Sequence, residues 1–323
     1  MELIRGLYNL RPHQHGCVLT IGAFDGIHVG HQEMIRVLED CARRHGLPAT
    51  LLSFEPTPRE FFAQVQGKPE PARLTRLREK FEALARFGVD RFVCLRFDER
   101  VRCLGREQFV DEVLVKALGV RHIVVGHDFR FGRDNQGDIG CLRELSARGG
   151  FEVTEVPPFE IDGERVSSSF IRKALGAGDL TRAAKLLGRP YRMTGKVLHG
   201  EKLGRKLGFP TANLRLHRRT TPLAGVFAIR VTGGGLVSAP GVASLGTRPT
   251  VNGKELLLEA HVFDFEGDLY RKQLHVDFIA FLREEQRFAG LDTLMAQMHR
   301  DAAQAREILE AAVGGQSRET GLL

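Results

Sequence analysis

Two histidines, His28 and His31, flank Gly30 in the stretch Gly22 to His31, GAFDGIHVGH. Three residues apart at the start of a helix, their rings fall on one side and can donate hydrogen bonds to a phosphoryl group as charge builds on it. A zinc site would need a third and a fourth ligand; His13 and His15 are near in sequence, but no Cys/His cluster of finger spacing accompanies them. A plain pair of surface histidines is the alternative. Further on, Arg165, Ser167, Ser168, Ser169 and Arg172 set three small hydroxyls between two cations. Serines before a helical run ordinarily cap it, and here they also suit a clamp on the β- and γ-phosphates of a nucleotide. A third stretch, Gly200 to Asn213, carries Lys202, Arg205 and Lys206 among glycines without Walker A spacing. It reads as a flap over phosphates or as a flexible hairpin.

These residues need elements to hold them. Cys17 to Ile21 is a short apolar run of the kind a buried parallel strand shows. A turn with three glycines follows, Gly22 to Gly30. A helix comes next, its apolar residues Met34, Ile35, Leu38, Cys41 and Ala42 at helical spacing, with Arg43, Arg44 and His45 in the last turn and Gly46 as the stop. Strand, glycine turn and helix make a phosphate-binding geometry, because free N–H groups and the helix dipole favour an anion there.

Across residues 1–186 apolar runs (CVLTIG, ATLLSFE, RFVCLRF, HIVVGHDF, FEVTEV) alternate with helical patterns at 31–45, 73–87, 106–118 and 140–148. The alternation predicts a parallel sheet with helices on both faces, and ligands beyond the carboxyl ends of its strands. Each candidate segment follows such a strand. The pattern changes near 187. Residues 191–282 hold short alternating segments between glycine turns, which predicts a small antiparallel barrel. An amphipathic helix is expected over 291–312 and a polar, disordered tail over 313–323. The fold class is therefore α/β, a Rossmann-like domain at 1–186, followed by a β-barrel domain with a C-terminal helix at 187–312.

Composition excludes other classes. The chain has 323 residues, 42% hydrophobic and 27% charged. It has no run of membrane length and no leader-like start. Five cysteines without pairing or a C-x-x-C pattern suit a reducing cytoplasm. The net charge of +7 is spread among acids, with no basic run interleaved with aromatics. Nucleic acid and membrane are not expected partners, and no obligatory protein partner is.

Gly22, Phe24, Asp25, Gly26, His28, Gly30 and His31 resemble the G-x-F-D-G-x-H-x-G-H signature of the nucleotidyltransferase domain of bacterial FAD synthetases. The His-x-Gly-His core alone marks a superfamily; the Phe-Asp-Gly flank narrows it. Pro56 and Pro58 resemble that family's F-x-P-x-P loop. Asp128 and Phe129, in Gly126 to Gly132, resemble its G-x-D/N-F-x-F-G stretch against the nucleotide. Arg165 to Arg172 resembles I-S-S-T-x-I-R, with Val166 and Ser169 as substitutions. Pro210 to Asn213 resembles the P-T-A-N motif of riboflavin kinases, and Gly241 to Thr250 a second motif of theirs with Ser244 in place of Asn.

The resemblance, to bifunctional riboflavin kinase/FAD synthetases, covers residues 17–312. It implies phosphorylation of riboflavin by ATP to FMN, then adenylylation of FMN by a second ATP to FAD and pyrophosphate. It implies catalytic roles for His28, His31, Arg165, Ser168, Ser169 and Glu259. ATP would meet Gly22, Phe24, Asp25, Gly30, Arg172, Gly200, Lys206 and Gly208. Flavin would meet Pro56, Pro58, Asp128, Phe129, Arg283 and Phe288. Mg²⁺ would sit on Thr211 and Asn213. A different His-x-Gly-His adenylyltransferase would leave Thr211, Asn213 and Glu259 idle, and a flavin-binding module would bind without turnover.

Overall fold

The computed structural model describes residues 1–199, 208–250 and 253–319. The chain divides into two compact units. One holds residues 1–71 and 75–168; the other holds 72–74 and 169–323.

The first unit is built on six strands: β1 Glu2–Arg5, β2 Cys17–Ile21, β3 Ala49–Glu55, β4 Arg91–Arg96, β5 Val120–Gly126 and β6 Glu152–Val156. Their order is β1-β4-β3-β2-β5-β6, and every pairing is parallel. All five residues of β2 are buried, as a central strand covered on both faces requires. The chain leaves β2 for β3 and β4 on one side, then returns to β5 and β6 on the other. The reversal opens a crevice at the carboxyl ends of β2 and β5, where open α/β sheets bind ligands.

The helices of this unit are α1 Val29–His45, α2 Pro58–Val65, α3 Leu77–Leu84, α4 Glu99–Cys103, α5 Arg106–Gln108, which runs on as a helical stretch Phe109–Ala117, and α6 Ile139–Gly149. One apolar cluster on the sheet includes Leu19, Val93, Leu114 and Ile123; a second includes Phe24, Ile35, Leu51 and Phe92. The two-stranded hairpin β7 Glu160–Ile161 and β8 Glu164–Arg165 closes the unit. Sequence patterning gave no signal for β1 or this hairpin, both too short for a period. The resemblance placed Pro56 and Pro58 in a loop. Thr57 instead caps α2 with a capping box to Glu60, and Pro58 takes the first helical position.

In the second unit α7 Ser168–Gly176, all but its first residue, and α8 Leu180–Leu187 precede a closed antiparallel barrel. Its strands are β9 Tyr191–Leu198, β10 Ala212–Arg215, β11 Gly225–Gly233, β12 Leu236–Thr250, β13 Gly253–Val262 and β14 Gln273–Arg283, in the order β10-β13-β12-β11-β14-β9. α8 packs on β14 and β9, burying Leu180, Ala183, Leu186 and Leu187. The helical residues 169–187 therefore group with the barrel, although their periodicity continues that of the α/β half.

The last helix, α9 Leu291–Glu319, packs on β11, β12 and β14, with Ala305 and Leu309 buried beside Ala228 and Phe263. Residues 313–319, expected as disordered tail, continue this helix; residues 320–323 lie outside the described residues. Extending a formed helix costs far less than starting one, so Gly314 and Gly315, at about 1 kcal/mol each, do not end it.

Candidate functional site

The loop after β2 is shaped by backbone conformations that side chains rarely adopt. Phe24 and Ile27 have φ of 46° and 43°, and Gly26 has 86°. Such non-glycine conformations persist only where the surroundings hold them. Phe24 and Ile27 are fully buried, and polar groups from distant segments fasten the rest. The Asp25 carboxylate accepts from the Thr75 N–H at 2.9 Å and the Thr75 hydroxyl at 3.2 Å, while Gly26 N–H donates to Thr75 Oγ1 at 3.0 Å. Ser168 Oγ donates to the Asp25 carbonyl at 2.9 Å. Buried Lys80 donates to the Ala23 carbonyl and to Ser53 Oγ. Sequence reasoning missed Thr75 and Lys80: they lie some fifty residues beyond the loop and carry no motif of their own.

This loop delivers His28 and His31 to the start of α1. His28 is the N-cap, its Nδ1 accepting the His31 N–H at 3.3 Å. The two rings stack with centroids 3.6 Å apart and 14° between planes, and Phe24 lies 4.8 Å from His31. The accepting Nδ1 places the His28 proton on Nε2, which makes Nε2 the donor nitrogen of the ring. Burial, then His28, then Lys80 hold the His31 imidazole well below its ordinary value. Its Nδ1 is buried and has no hydrogen-bond partner among the described residues. A closely packed imidazole pair at a helix N-terminus is a preorganised donor set for an anion. Gly30 follows within this turn; a Cβ there would come 3.3 Å from Phe159 and 3.4 Å from His28 Nδ1, which leaves little room for a side chain.

Loops after the neighbouring strands carry the other candidates of this unit. Asp128 and Phe129 follow β5. Burial alone would raise the Asp128 carboxyl, but Arg165, bonded to it at 2.5 Å, holds it below its ordinary value. The structure thus joins Arg165 and Asp128, which the sequence assigned to different ligands. Phe129 stacks on Phe131, 5.6 Å away, and packs at the edge of the core. Pro56 follows β3 through a cis peptide bond, and Phe54, Phe61 and Phe62 gather around Phe97 beside it.

Ser169 and Arg172 belong to α7 in the second unit. Ser169 is exposed, and Arg172 Nε donates to the Ala72 carbonyl at 2.6 Å.

The barrel carries a second group. Asn213 of β10 pairs with Glu259 of β13, and Ser244 of β12 pairs with Glu259 from the other side. Directly paired residues project from the same face, so the three form one row across adjacent strands. Leu258 and Ala260, on either side of Glu259, are buried on the opposite face. Ser244 Oγ donates to Glu285 at 3.3 Å. Thr211 stands two residues before Asn213 and lines a cavity of about 290 Å³ with Val197, Pro210, Ala260, Val262 and Tyr270. His261 Nδ1 stands 2.9 Å from the Pro210 carbonyl and fixes the approach to that strand.

Arg283 makes a two-pronged pair with Asp301, its Nη2 at 2.7 Å, and lies over the Phe288 ring at 5.7 Å. Gly208 is exposed with φ of 78°. Gly200 and Lys206 lie outside the described residues.

A family model described as FAD synthetase matches residues 10–170, and one described as riboflavin kinase matches 187–309. A curated bifunctional riboflavin kinase/FMN adenylyltransferase from Pseudomonas fluorescens is 49% identical over 309 residues, covering 95% of this chain and 98% of the relative. One of the same name from Escherichia coli K12 is 46% identical, with 95% and 97% covered. A crystal structure described as a macrolide-efflux protein from Streptococcus pneumoniae superposes with a TM-score of 0.79 at 31% identity, covering 93% of this chain and 97% of that one. Among the described residues, no helix of this chain is long and apolar enough to cross a membrane.

Proposed function

The chain belongs to the bifunctional riboflavin kinase/FMN adenylyltransferase family, and from that membership we propose which residues carry each half of the reaction. It phosphorylates riboflavin with ATP to give FMN, then adenylylates FMN with ATP to give FAD and pyrophosphate. Residues 1–186 are assigned the adenylyl transfer and 187–312 the kinase step.

In the adenylyl step a phosphate oxygen of FMN attacks the α-phosphorus of ATP, and pyrophosphate leaves with the electrons of the broken P–O bond. His28 donates from Nε2 and His31 from its buried ring to the oxygens on which charge builds. The N–H groups at the start of α1 add to this field. Gly22, Phe24, Asp25 and Gly30 shape the ATP loop. Asp25 acts from within it, through Thr75 and Ser168. Arg165, Ser168, Ser169 and Arg172 hold the departing pyrophosphate. Pro56, Pro58, Asp128 and Phe129 border the flavin. No covalent enzyme intermediate is required, because positioning and electrostatics carry this chemistry.

In the kinase step Glu259 takes the proton of the ribityl hydroxyl, whose oxygen attacks the γ-phosphorus of ATP. The Thr211 hydroxyl and the Asn213 amide oxygen are hard donors of the kind Mg²⁺ takes beside phosphates, and Mg²⁺ held there would neutralise phosphate charge. Gly200, Lys206 and Gly208 form the flap over ATP, and Arg283 and Phe288 border the flavin. Asn213 and Glu259 being direct cross-strand neighbours is the observation that carries this half. The substrates are ATP, riboflavin and FMN. Nucleic acid, membrane and an obligatory protein partner have no part, and the cytoplasm is the compartment assigned.

The test supplies riboflavin with ATP labelled at the α- or the γ-phosphate. γ-Label should appear in FMN and α-label in FAD. Absence of α-label in FAD would point to another adenylyl acceptor, and flavin binding without ADP release to a storage module.

A further inference from the structure

Far from the crevice, at the amino-terminal edge of the parallel sheet, three potential ligands meet. His45 is the last residue of α1, His122 the third of β5, and Glu152 the first of β6. His122 and Glu152 are direct neighbours across the β5–β6 ladder. His45 Nε2 lies 3.0 Å from His122 Nδ1, His122 Nδ1 lies 3.4 Å from Glu152 Oε2, and His45 Nε2 lies 3.9 Å from Glu152 Oε2. A circle through these three atoms has a radius of about 2.0 Å, the length of a zinc–nitrogen or zinc–oxygen bond. One point is therefore at bonding distance from all three, and an ion there would take the place of the proton shared between the two rings.

The surroundings suit a ligand set. The His122 ring is buried, and its far nitrogen, Nε2, lies 2.8 Å from Thr154 Oγ1. A donated Nε2–H fixes the tautomer that leaves the Nδ1 lone pair facing His45 and Glu152, as outer partners of metal-bound histidines do. Glu152 is exposed and His45 half-buried, so a fourth position opens to water. Arg44, the neighbouring cation, is engaged with Cys41 Sγ at 3.0 Å.

We propose that His45, His122 and Glu152 form a binding site for a divalent transition metal of the zinc class, separate from the phosphate-transfer machinery. Two imidazoles and one carboxylate select Zn²⁺ and its neighbours over Mg²⁺. The ion would tie the end of α1 to β5 and β6, while the start of the same helix carries His28 and His31.

The full chain, stripped with a chelator and kept in excess Mg²⁺ to fill hard-oxygen sites, is titrated with Zn²⁺ and, as a spectroscopic probe, Co²⁺. One equivalent of Zn²⁺ is expected, with a rise in melting temperature and visible Co²⁺ bands of a nitrogen–oxygen site. His45→Ala and Glu152→Gln change accessible side chains and should fold. Each should weaken Zn²⁺ binding at least about tenfold, and Thr154→Val by about 10- to 100-fold. His28→Asn should leave it unchanged. Wild-type affinity in both His45→Ala and Glu152→Gln would overturn the site, as would a wild-type chain that retains no Zn²⁺ through dialysis.

Discussion

The His28 imidazole accepts the backbone N–H of His31 and stacks on the His31 ring at 3.6 Å. One side chain thus caps α1 and belongs to the donor pair, which gives substitutions at position 28 two separable effects. Asparagine also caps helices well. His28→Asn should keep most of the stability while losing the imidazole donor. FAD formation from FMN should fall about 100- to 1,000-fold, roughly 2.7–4 kcal/mol in the barrier. His28→Ala should add about 0.5–2 kcal/mol of destabilisation from the lost cap. FMN formation should persist in both. An equal loss of the two activities in a folded His28→Asn chain would remove the pair from the adenylyl site.

The depressed imidazole of His31 has a consequence for stability. Below about pH 6.5 an unfolded histidine takes up a proton. The folded His31 resists it, because burial, His28 and Lys80 hold its pKa well below that value. Protons then bind the unfolded state preferentially. The stability His31 allows is fully present above about pH 6.5 and is lost as the pH falls toward its folded pKa. Denaturant unfolding of the chain between pH 8 and 5 should show this slope, and His31→Asn should flatten it. An unchanged slope in that variant would assign the acid sensitivity to other groups.

Much of this geometry was legible in the sequence because it is local. β2, the glycine turn, and α1 with its Gly46 stop read directly from an apolar run, a composition change and a 3.6-residue period. The motif residues His28 and His31 lie within one turn, so their meeting needed no tertiary information. The clamp on that loop was illegible. Thr75 reaches Asp25 across fifty residues, and Lys80 reaches Ala23 across fifty-seven. Nothing in local patterning marks either. The Asn213–Glu259 pairing depended on a barrel register that alternation alone leaves open. The pairing of Arg165 with Asp128 follows from the β7–β8 hairpin meeting the loop after β5.

The helices before the barrel bear on where the chain can be cut. A fragment of residues 169–323 keeps α8, whose Leu180, Leu186 and Leu187 are buried on the barrel side. A fragment of 187–323 loses it. Each leucine buried contributes about 1.5–3 kcal/mol, so the shorter fragment should melt at a clearly lower temperature. The longer fragment should make FMN from riboflavin. If it folds and makes none, the two activities are not divided between the units.

Glu259 tests the kinase half most directly. It stands opposite Asn213, in a row with Ser244, on the face of β13 away from buried Leu258 and Ala260. Glu259→Gln keeps size and hydrogen-bonding capacity and removes the basic carboxylate. A positioned general base contributes about 100- to 10,000-fold. FMN formation should fall by about that factor, roughly 2.7–5.4 kcal/mol at 1.36 kcal/mol per tenfold. ATP binding should change little, since Thr211 and Asn213 are the residues assigned to Mg²⁺. FAD formation from supplied FMN should stay near wild type, because it depends on His28 and His31. A glutamate that is merely a strand residue facing water would cost under about half a kcal/mol and no activity when changed. Wild-type FMN formation in Glu259→Gln would therefore place the base elsewhere and leave the Asn213–Glu259 pair as a feature of the barrel alone.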